Sequence, residues 1–390
     1  MRRFMIASDS SGSGKTMITT ALLQAFKDRG YSVGAVKCGP DYIDPMFHRS
    51  VQDVRSRNID PFLMGNEAAK QVLSAFESED IVIMEAAMGY YDGIAGTTAA
   101  SAYEVSVLTD TPVILVINPG SQGNTIAAKL SGLQNFRKNC NIAGVILNRC
   151  RKERYEYYRK IIERENSLPV FGYLEELPDA AMESRHLGLM SPSEIEGYRE
   201  KLNKITTEII KTVDLDGILK VSKVTEGRFF CHNSGSVRCR IAVAKDEAFS
   251  FYYENALEKL RQLGAELCFF SPIRDKALPE DTDALYLGGG YPELHLEELS
   301  RNEAIRGQIA VSVKGGMPTI AECGGFIYLQ ETIEDREGHP YRGCGVFPGK
   351  TAYAGRSVRF GYCMMRAETN SMLFNKGEEI PAHEFHHWDT

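Results

Sequence analysis

Two short segments of the chain have the residue types and spacing of reactive loops. The first, residues 9–16, reads Asp-Ser-Ser-Gly-Ser-Gly-Lys-Thr and follows the apolar run 4–7. A glycine-rich turn between a strand and a helix points successive backbone amides at one place, a lysine adds a positive charge, and a hydroxyl can ligate Mg²⁺. The segment therefore predicts a phosphate-binding loop. The expected nucleotide contacts are Ser11, Gly12, Ser13, Gly14, Lys15 and Thr16.

The first residue of this loop departs from the usual pattern. That pattern begins with glycine or alanine, whereas Asp9 holds the position here. The residues that follow have helical periodicity, and Gly30 stands where a glycine commonly ends a helix. The helix begins near Gly14, so its positive end should also face bound phosphates.

The second reactive segment is residues 318–326, Pro-Thr-Ile-Ala-Glu-Cys-Gly-Gly-Phe. An apolar strand that turns sharply through a cysteine and two glycines into a helix is typical of a nucleophile elbow. We expect Cys323 to be the nucleophile, with the helix N-terminus favouring its thiolate. Upstream, the Leu287–Glu293 segment is rich in glycine, and the amides of Gly289 and Gly290 are candidates to hold an oxyanion.

Acidic residues follow neighbouring strands of the first half. Asp41 and Asp44 follow one predicted strand, Glu85 closes another, and Asp92 lies in the loop after it. Ligands of open α/β sheets bind beyond the carboxyl ends of the strands, and carboxylates there can hold Mg²⁺. Each acid by itself is more simply a turn residue or a helix cap, whereas the set beside a phosphate loop favours a metal site.

Four segments together resemble the cobyrinate a,c-diamide synthase family, the glutamine-dependent amidotransferases of corrin assembly. They are residues 9–16, residues 37–48 (Lys-Cys-Gly-Pro-Asp-Tyr-Ile-Asp-Pro-Met-Phe-His), residues 85–93 (Glu-Ala-Ala-Met-Gly-Tyr-Tyr-Asp-Gly) and residues 183–189 (Glu-Ser-Arg-His-Leu-Gly-Leu). The resemblance covers nearly the whole chain and keeps the motif order. It implies a P-loop doubly wound domain similar to dethiobiotin synthetase, followed by a class I glutamine amidotransferase α/β domain.

By this resemblance, ATP and Mg²⁺ would serve to phosphorylate a carboxylate of cobyrinate or a related tetrapyrrole, at the a and c acetates. Glutamine or ammonia would then supply the nitrogen. Thr16, Asp41 and Glu85 would hold the metal, whereas Tyr42, Asp44 and Asp92 would line the substrate side. Cys323 would release ammonia from glutamine through a thioester.

The sequence departs from the family at its late histidine. The family has a Tyr-x-His-x-His-like segment well past a His-Glu-Phe-His motif, and no such segment follows His383-Glu-Phe-His-His387 here. The expectation is either an incomplete chain, which we favour, or an impaired glutaminase half. His383, His386 and His387 are candidate substitutes, while His48, His186 and His295 are interpreted as structural. Tyr90 and Tyr91 could pack on a macrocycle or belong to the core.

Three other functions share some of these sequence features. A relative that amidates nickel-sirohydrochlorin in coenzyme F430 assembly is not separated by these motifs. Cobyric acid synthase is disfavoured, because it carries a Gln-Asn-Met-like segment where this chain has residues 39–44. A partitioning-type ATPase switch usually has an extra early lysine, which residues 9–11 lack, and it has no use for a cysteine elbow.

Composition limits the partners and the compartment. The 390 residues carry a net charge of −7, which gives no general attraction for nucleic acid. The longest apolar run, 113–117, is too short to span a bilayer, and the N-terminus leads directly into a strand, so no signal peptide is expected. Nine cysteines without a Cys-x-x-Cys pair indicate a reducing cytoplasm. A homodimer is left open.

The elements that position these loops alternate between strands and helices. Continuously apolar runs predict the strands of a parallel sheet in the first half, and segments such as 67–76 and 124–136 have helical periodicity between them. The expected division is a synthetase domain at 1–192, a helix and connector at 193–238, and an amidotransferase domain at 239–390. The predicted strands are 4–7, 32–37, 80–85, 112–117, 142–147, 169–173, 240–245, 265–270, 283–287 and 318–322.

Overall fold

A computed structural model describes residues 1–177, 192–225, 236–356 and 359–390, which fall into two compact units. The predicted motif at 183–189 therefore lies outside the described residues. The first unit comprises 1–177 with 192–225, and the second begins at 236.

The first unit is built on a mainly parallel sheet. Its strands are β1 (Arg2–Ser8), β2 (Val33–Cys38), β3 (Arg55–Ile59), β4 (Ile81–Glu85), β5 (Val113–Ile117), β6 (Ile142–Asn148), β7 (Val170–Leu174) and the two-residue β8 (Lys223–Val224). The order across the sheet is β3-β2-β4-β1-β5-β6-β7, and every neighbouring pair along it is parallel. Strand β8 pairs antiparallel with the start of β1.

Helices cover both faces of this sheet. They are α1 (Lys15–Asp28), α2 (Ile43–Gln52), α3 (Pro61–Met64), α4 (Asn66–Gln71), α5 (Ala102–Leu108), α6 (Thr125–Asn135), α7 (Lys152–Asn166), α8 (Pro192–Thr212) and α9 (Leu215–Val221), with short 3₁₀ turns at Val72–Phe76 and Ile94–Gly96.

The strands alternate their side chains between two cores. Phe4 and Ile6 of β1 pack with α1, α8 and α9, whereas Met5 and Ala7 pack on the opposite face with α5, α6 and α7. A strand buried on both faces has to be continuously apolar, which is the pattern the sequence showed. The doubly wound fold expected from that pattern is confirmed.

The polar strand β3 was missed. Its residues read Arg-Ser-Arg-Asn-Ile, so neither apolar content nor alternation marks it as a strand. It lies at the sheet edge, where one side needs no strand partner. Asn58 has a separate task, because its side-chain amide donates to the carbonyls of Gly39 at 3.0 Å and Asp41 at 2.6 Å. These two hydrogen bonds hold the loop that leads into α2.

The second unit contains a four-stranded parallel sheet in the order β10-β9-β11-β12. Its strands are β9 (Cys239–Ala244), β10 (Ala265–Phe270), β11 (Ala284–Leu287) and β12 (Thr319–Ala321), and its helices are α10 (Glu254–Gln262), α11 (Leu296–Arg301), α12 (Glu303–Lys314) and α13 (Gly324–Tyr328), with a 3₁₀ turn at Pro292–Leu294.

Beyond α13 the chain turns to β structure that the sequence did not predict. The strands are β13 (Gln330–Glu334), β14 (Pro340–Arg342), β15 (Phe347–Tyr353), β16 (Arg359–Arg366), β17 (Glu379–His386) and β18 (Trp388–Asp389). Strands β14-β13-β15-β18 form a second sheet, and β16 pairs with β17 as a two-stranded ribbon. Among the described residues, no helix is long and apolar enough to cross a membrane.

Candidate functional site

The phosphate loop joins β1 to α1, and a glycine stands where the helix begins. Gly14 has φ of 93° and is the N-cap of α1. A Cβ at this position would meet the side-chain nitrogen of Asn148 at 2.2 Å, so a larger residue would strain the backbone and displace the Asn148 side chain. Asn148, at the end of β6, donates to the carbonyl of Ser13 at 2.8 Å. Sequence reasoning missed this bond, which fixes the loop against the sheet.

Lys15 is buried beneath the loop. Its Nζ donates to Ser8 Oγ at 2.8 Å and to the carbonyl of Ser10 at 3.0 Å. Burial, together with the nearby charge of Lys37, lowers the pKa of Lys15. An anion bound at the loop would raise the pKa of Lys15 again, because its negative charge favours the protonated ammonium.

Thr16 links the loop to the carboxylate at the end of β4. Its Oγ1 donates to Glu85 Oε1 at 2.5 Å and lies 3.4 Å from Asp44 Oδ2. Glu85 is fully buried, and its other oxygen, Oε2, has no hydrogen-bond partner among the described residues. Burial raises the pKa of Glu85 to about 7, against the opposing effect of Lys37. A buried oxygen without a partner is what a metal ion or a water molecule would satisfy.

Lys37 of β2 was not predicted as a site residue, yet it lies at the centre of the acidic cluster. Its Nζ bonds Asp44, contacts Glu85 Oε1 at 2.7 Å and lies 3.7 Å from Asp41 Oδ2. Although burial opposes the effect, the carboxylates of Asp44 and Glu85 raise the pKa of Lys37 well above its ordinary value. The site therefore has one buried ammonium facing three carboxylates.

The predicted acids of the first half have different hydrogen-bond partners. Asp44 is within reach of Thr16, whereas Asp41 Oδ1 accepts from the amides of Ile43 at 2.8 Å and Asp44 at 3.1 Å, at the start of α2. Asp92 Oδ2 accepts from the amide of Gly89 at 3.0 Å and contributes to the field at Lys15. Tyr42 is the half-buried N-cap of α2.

Cys323 stands between β12 and α13 in the strained conformation that an elbow requires. Its φ is 48° and its ψ is −113°, unusual values for a residue with a Cβ. The following turn is tight, because a Cβ on Gly325 would meet the carbonyl of Leu287 at 2.1 Å. Glycine at position 325 therefore allows α13 to pass close to the end of strand β11.

The glycine-rich loop after β11 lies against this cysteine. A Cβ on Gly289 would be 3.4 Å from Cys323 Cβ, and a Cβ on Gly324 would be 3.3 Å from the amide nitrogen of Gly290. The backbone of this loop is held from behind, since the amides of Ser250 and Phe251 donate to the carbonyl of Gly289 at 3.1 and 3.0 Å. Backbone amides next to a nucleophile can stabilise an oxyanion.

The expected thiolate at Cys323 is not supported. Although the residue reaches solvent, the protein around its sulfur raises the pKa of the thiol, and the carboxylates of Glu293 and Glu322 add to the rise. The hydrogen bond from the Gly324 amide opposes this effect without overcoming it. A base must therefore take the proton when this thiol attacks.

Comparison with known proteins identifies two domain families in the chain. Residues 4–189 match the CobQ/CobB/MinD/ParA nucleotide binding domain, and residues 240–390 match the CobB/CobQ-like glutamine amidotransferase domain. Cobyrinate a,c-diamide synthase of Dehalococcoides mccartyi strain CBDB1 is 39% identical over 98% of this chain and 85% of its own length. The enzymes of that name from Thermoplasma volcanium and Clostridium acetobutylicum are each 40% identical, over 98% and 99% of this chain and 85% and 87% of their own lengths.

The chain belongs to the cobyrinate a,c-diamide synthase family. It joins a nucleotide-binding domain to a glutamine amidotransferase domain, which makes it a ligase that takes nitrogen from glutamine. Among solved structures, the MinC:MinD complex of Aquifex aeolicus matches with a TM-score of 0.38 at 14% identity, over 59% of this chain and 99% of that one. A likeness of that size carries no argument about function.

The two adjacent tyrosines, Tyr90 and Tyr91, both have hydrogen-bond partners within the first unit. Tyr90 is 1% exposed and bonds Ser106 Oγ at 3.1 Å, and the hydroxyl of Tyr91 donates to the carbonyl of Leu133. Of the two alternatives for Tyr90, its burial supports a place in the core and leaves no exposed ring face for a macrocycle. His48 is buried with Nδ1 3.3 Å from Ser56 Oγ, in agreement with the structural interpretation.

The late histidines lie at the end of the chain's β structure. His383 and His386 belong to β17, where the His383 ring packs against Phe360 and Tyr362. His386 Nδ1 lies 2.7 Å from the carbonyl of Trp388, and His387 packs against Phe385. These contacts give each ring a structural role, and their part in any glutaminase step stays a prediction.

Proposed function

We propose that this protein uses ATP and Mg²⁺ to activate the a and c acetate carboxylates of cobyrinate and amidates them with ammonia released from glutamine. The observation that carries the proposal is the contact of Thr16 with Glu85, which joins the phosphate loop to a buried acidic cluster at the ends of parallel strands. The names of the relatives support the choice of cobyrinate as the substrate. The a and c positions come from those names.

Activation is required because a carboxylate is a poor electrophile. An oxygen of the carboxylate attacks the terminal phosphorus of ATP, the bond from phosphorus to the bridging oxygen breaks, and ADP leaves. Ammonia then attacks the carbonyl carbon of the acyl phosphate, and the amide forms as phosphate departs with the former carboxylate oxygen. Two anions must meet in the first step. Lys15 and the loop amides reduce their repulsion.

The residues present fit a magnesium ion. Glu85 Oε2 is buried without a partner, and the Thr16 hydroxyl is bonded to the same carboxylate. Hard oxygen ligands of this kind suit Mg²⁺, which would neutralise phosphate charge when bound. We propose Thr16 and Glu85 as ligands together with Asp41 or Asp44, and Asp44 Oδ2 lies 3.4 Å from the Thr16 hydroxyl. Tyr42 and Asp92 are proposed for the substrate side.

The glutamine step is assigned to Cys323. Its sulfur attacks the side-chain carbonyl carbon of glutamine, and the tetrahedral oxyanion would be met by the amides of Gly289 and Gly290. Collapse expels ammonia and leaves a glutamyl thioester, which water hydrolyses. We propose residues 1–192 as the synthetase part, 193–238 as helix and connector, and 239–390 as the amidotransferase part.

The test separates the two steps. Cys323→Ala should lose glutamine-supported amidation and keep ammonia-supported amidation, because ammonia bypasses the thioester. Lys15→Ala should lose both. Loss of both activities in Cys323→Ala, with a folded protein by circular dichroism, would contradict separate sites. Retention of amidation in Lys15→Ala would contradict the proposed nucleotide site.

The substrate is tested by mass spectrometry of the products. Cobyrinate and nickel-sirohydrochlorin are each incubated with ATP, Mg²⁺ and ammonium. Each amidation exchanges OH for NH₂ and lowers the mass by about one unit. Two such steps on cobyrinate support the proposal. Amidation of nickel-sirohydrochlorin alone would show that nickel-sirohydrochlorin, and not cobyrinate, is the substrate. ATP hydrolysis that ignores both tetrapyrrole and ammonia would favour a nucleotide switch.

A further inference from the structure

The carboxylate of Asp9 lies at the start of the loop that we propose binds the nucleotide phosphates. Asp9 Oδ1 accepts from Ser13 Oγ at 3.2 Å, and the side chain is only 10% exposed. Its charge also acts on Lys15. A buried carboxylate beside a triphosphate weakens binding unless another group compensates its charge.

Lys129 meets that carboxylate from a different part of the fold. It lies in α6, which follows β5, the neighbour of β1 in the sheet. Its Nζ forms an ion pair with Asp9 Oδ2, although the two residues are 120 positions apart. The carboxylate is thus held on one oxygen by the loop and on the other by α6.

We propose that Lys129 is a charge-compensating residue of the nucleotide site, paired with Asp9 so that the phosphate loop can accept a polyanion despite its carboxylate. This inference rests on the proposed nucleotide site. Lys129 acts through Asp9, so it is a positioning residue. The pair explains how this chain tolerates an acid at the loop position where the usual pattern has glycine or alanine.

The test is a two-residue cycle read by nucleotide binding. Isothermal titration with Mg²⁺ and a non-hydrolysable ATP analogue is carried out on the full chain and on Lys129→Met, Asp9→Asn and the double variant. Lys129→Met should weaken binding about tenfold, because it leaves an uncompensated carboxylate at close range. Asp9→Asn should bind no more weakly than the unchanged protein. The double variant should match Asp9→Asn.

Rescue by the second substitution is the result that a merely structural ion pair would not give. Lys160→Met on α7, an exposed lysine, is the matched control and should leave the affinity unchanged. Equal affinity of Lys129→Met and the unchanged protein would overturn the inference, as would a double variant as weak as Lys129→Met. If the full chain without substitutions binds no nucleotide, the proposed function is overturned as well.

Discussion

Thr16 and Glu85 are 69 residues apart in the chain, and their side chains are joined by a 2.5 Å hydrogen bond. The bond exists because β1 and β4 are parallel neighbours, so the loop after one strand meets the last residue of the other. Glu85 keeps a second oxygen buried and without a partner among the described residues. The fold thus keeps a buried carboxylate oxygen without a partner at the position where we propose that nucleotide and metal bind.

Glu85→Gln should remove most magnesium-dependent amidation. The amide keeps the size of the side chain and lacks the charge that attracts a hard cation, so we expect kcat to fall about a hundredfold, the scale of losing one strong electrostatic group. The measurement is ammonia-supported amidation as a function of Mg²⁺ concentration. Glu163→Gln, on the surface of α7, is the control. A magnesium response equal to that of the unchanged protein would exclude Glu85 as a ligand.

Lys37→Met should destabilise the free protein and make its stability depend on Mg²⁺. Removing the ammonium leaves the buried carboxylates of Asp44 and Glu85 facing each other, a change that costs about 3–5 kcal/mol for a broken buried ion pair. Urea unfolding with and without Mg²⁺ measures the effect. We expect the cation to recover part of the loss in the variant and to change the unchanged protein little. An equal magnesium effect on both proteins would contradict the expectation that Mg²⁺ binds the carboxylates of Asp44 and Glu85 more readily once the Lys37 ammonium is removed.

His48 should make stability fall in mild acid. Burial lowers its pKa to about 4, against an ordinary value of 6.5, so the unfolded chain binds more protons between these two values. The free energy of unfolding should therefore decrease as pH falls from 6.5 towards 4, by up to about 3 kcal/mol from this residue.

The matched variant for this effect is His48→Asn, which keeps a polar group near Ser56 and removes the titration. Its unfolding free energy should fall less steeply over the same pH range in urea titrations. Parallel curves for the two proteins would show that His48 protonates as easily in the folded state as in the unfolded state.

The reactivity of Cys323 should depend on the acids around it. Protein packed around the sulfur raises its pKa, and Glu293 adds to the rise, so Glu293→Gln should move the pH profile of iodoacetamide labelling at Cys323 to lower pH. Peptide mass spectrometry isolates this cysteine from the other eight. Glu297→Gln, paired with Arg301 on the surface, should leave the profile in place. A shift to higher pH in Glu293→Gln would reverse the proposed influence.

The sequence predicted those parts of the fold that follow from a local pattern, namely continuous apolar runs for buried strands and glycines at close backbone approaches. Runs such as Val113–Ile117 are apolar at every position because both faces are buried, and the loops of the two reactive segments carry glycines where the backbone approaches closely. Strand β3 could not be found this way, since its edge position allows Arg55 and Arg57. The strands after α13 were missed because β16 and β17 expose residues such as Phe360 and Phe385, which blurs the alternation.

Side-chain partners across long chain separations were beyond the sequence. Lys37 lies on a strand that reads as apolar, and only the parallel pairing of β2 with β4 brings its ammonium to Glu85. Nothing in the local sequence distinguishes Lys129 from other helical lysines. Only the position of α6 beside the phosphate loop brings its ammonium to Asp9. Motifs indicate which groups react, whereas the groups that set their charge come from the topology.

The proposed function depends on activation of the carboxylate as an acyl phosphate. Cobyrinate labelled with ¹⁸O in its a and c carboxylates, incubated with ATP, Mg²⁺ and ammonium, tests it most directly, with the label followed in the released phosphate by mass spectrometry. We expect one ¹⁸O atom in phosphate for each amide formed, because the oxygen lost from carbon leaves bonded to phosphorus. Amide formation with unlabelled phosphate and with the label in water would contradict the acyl-phosphate step.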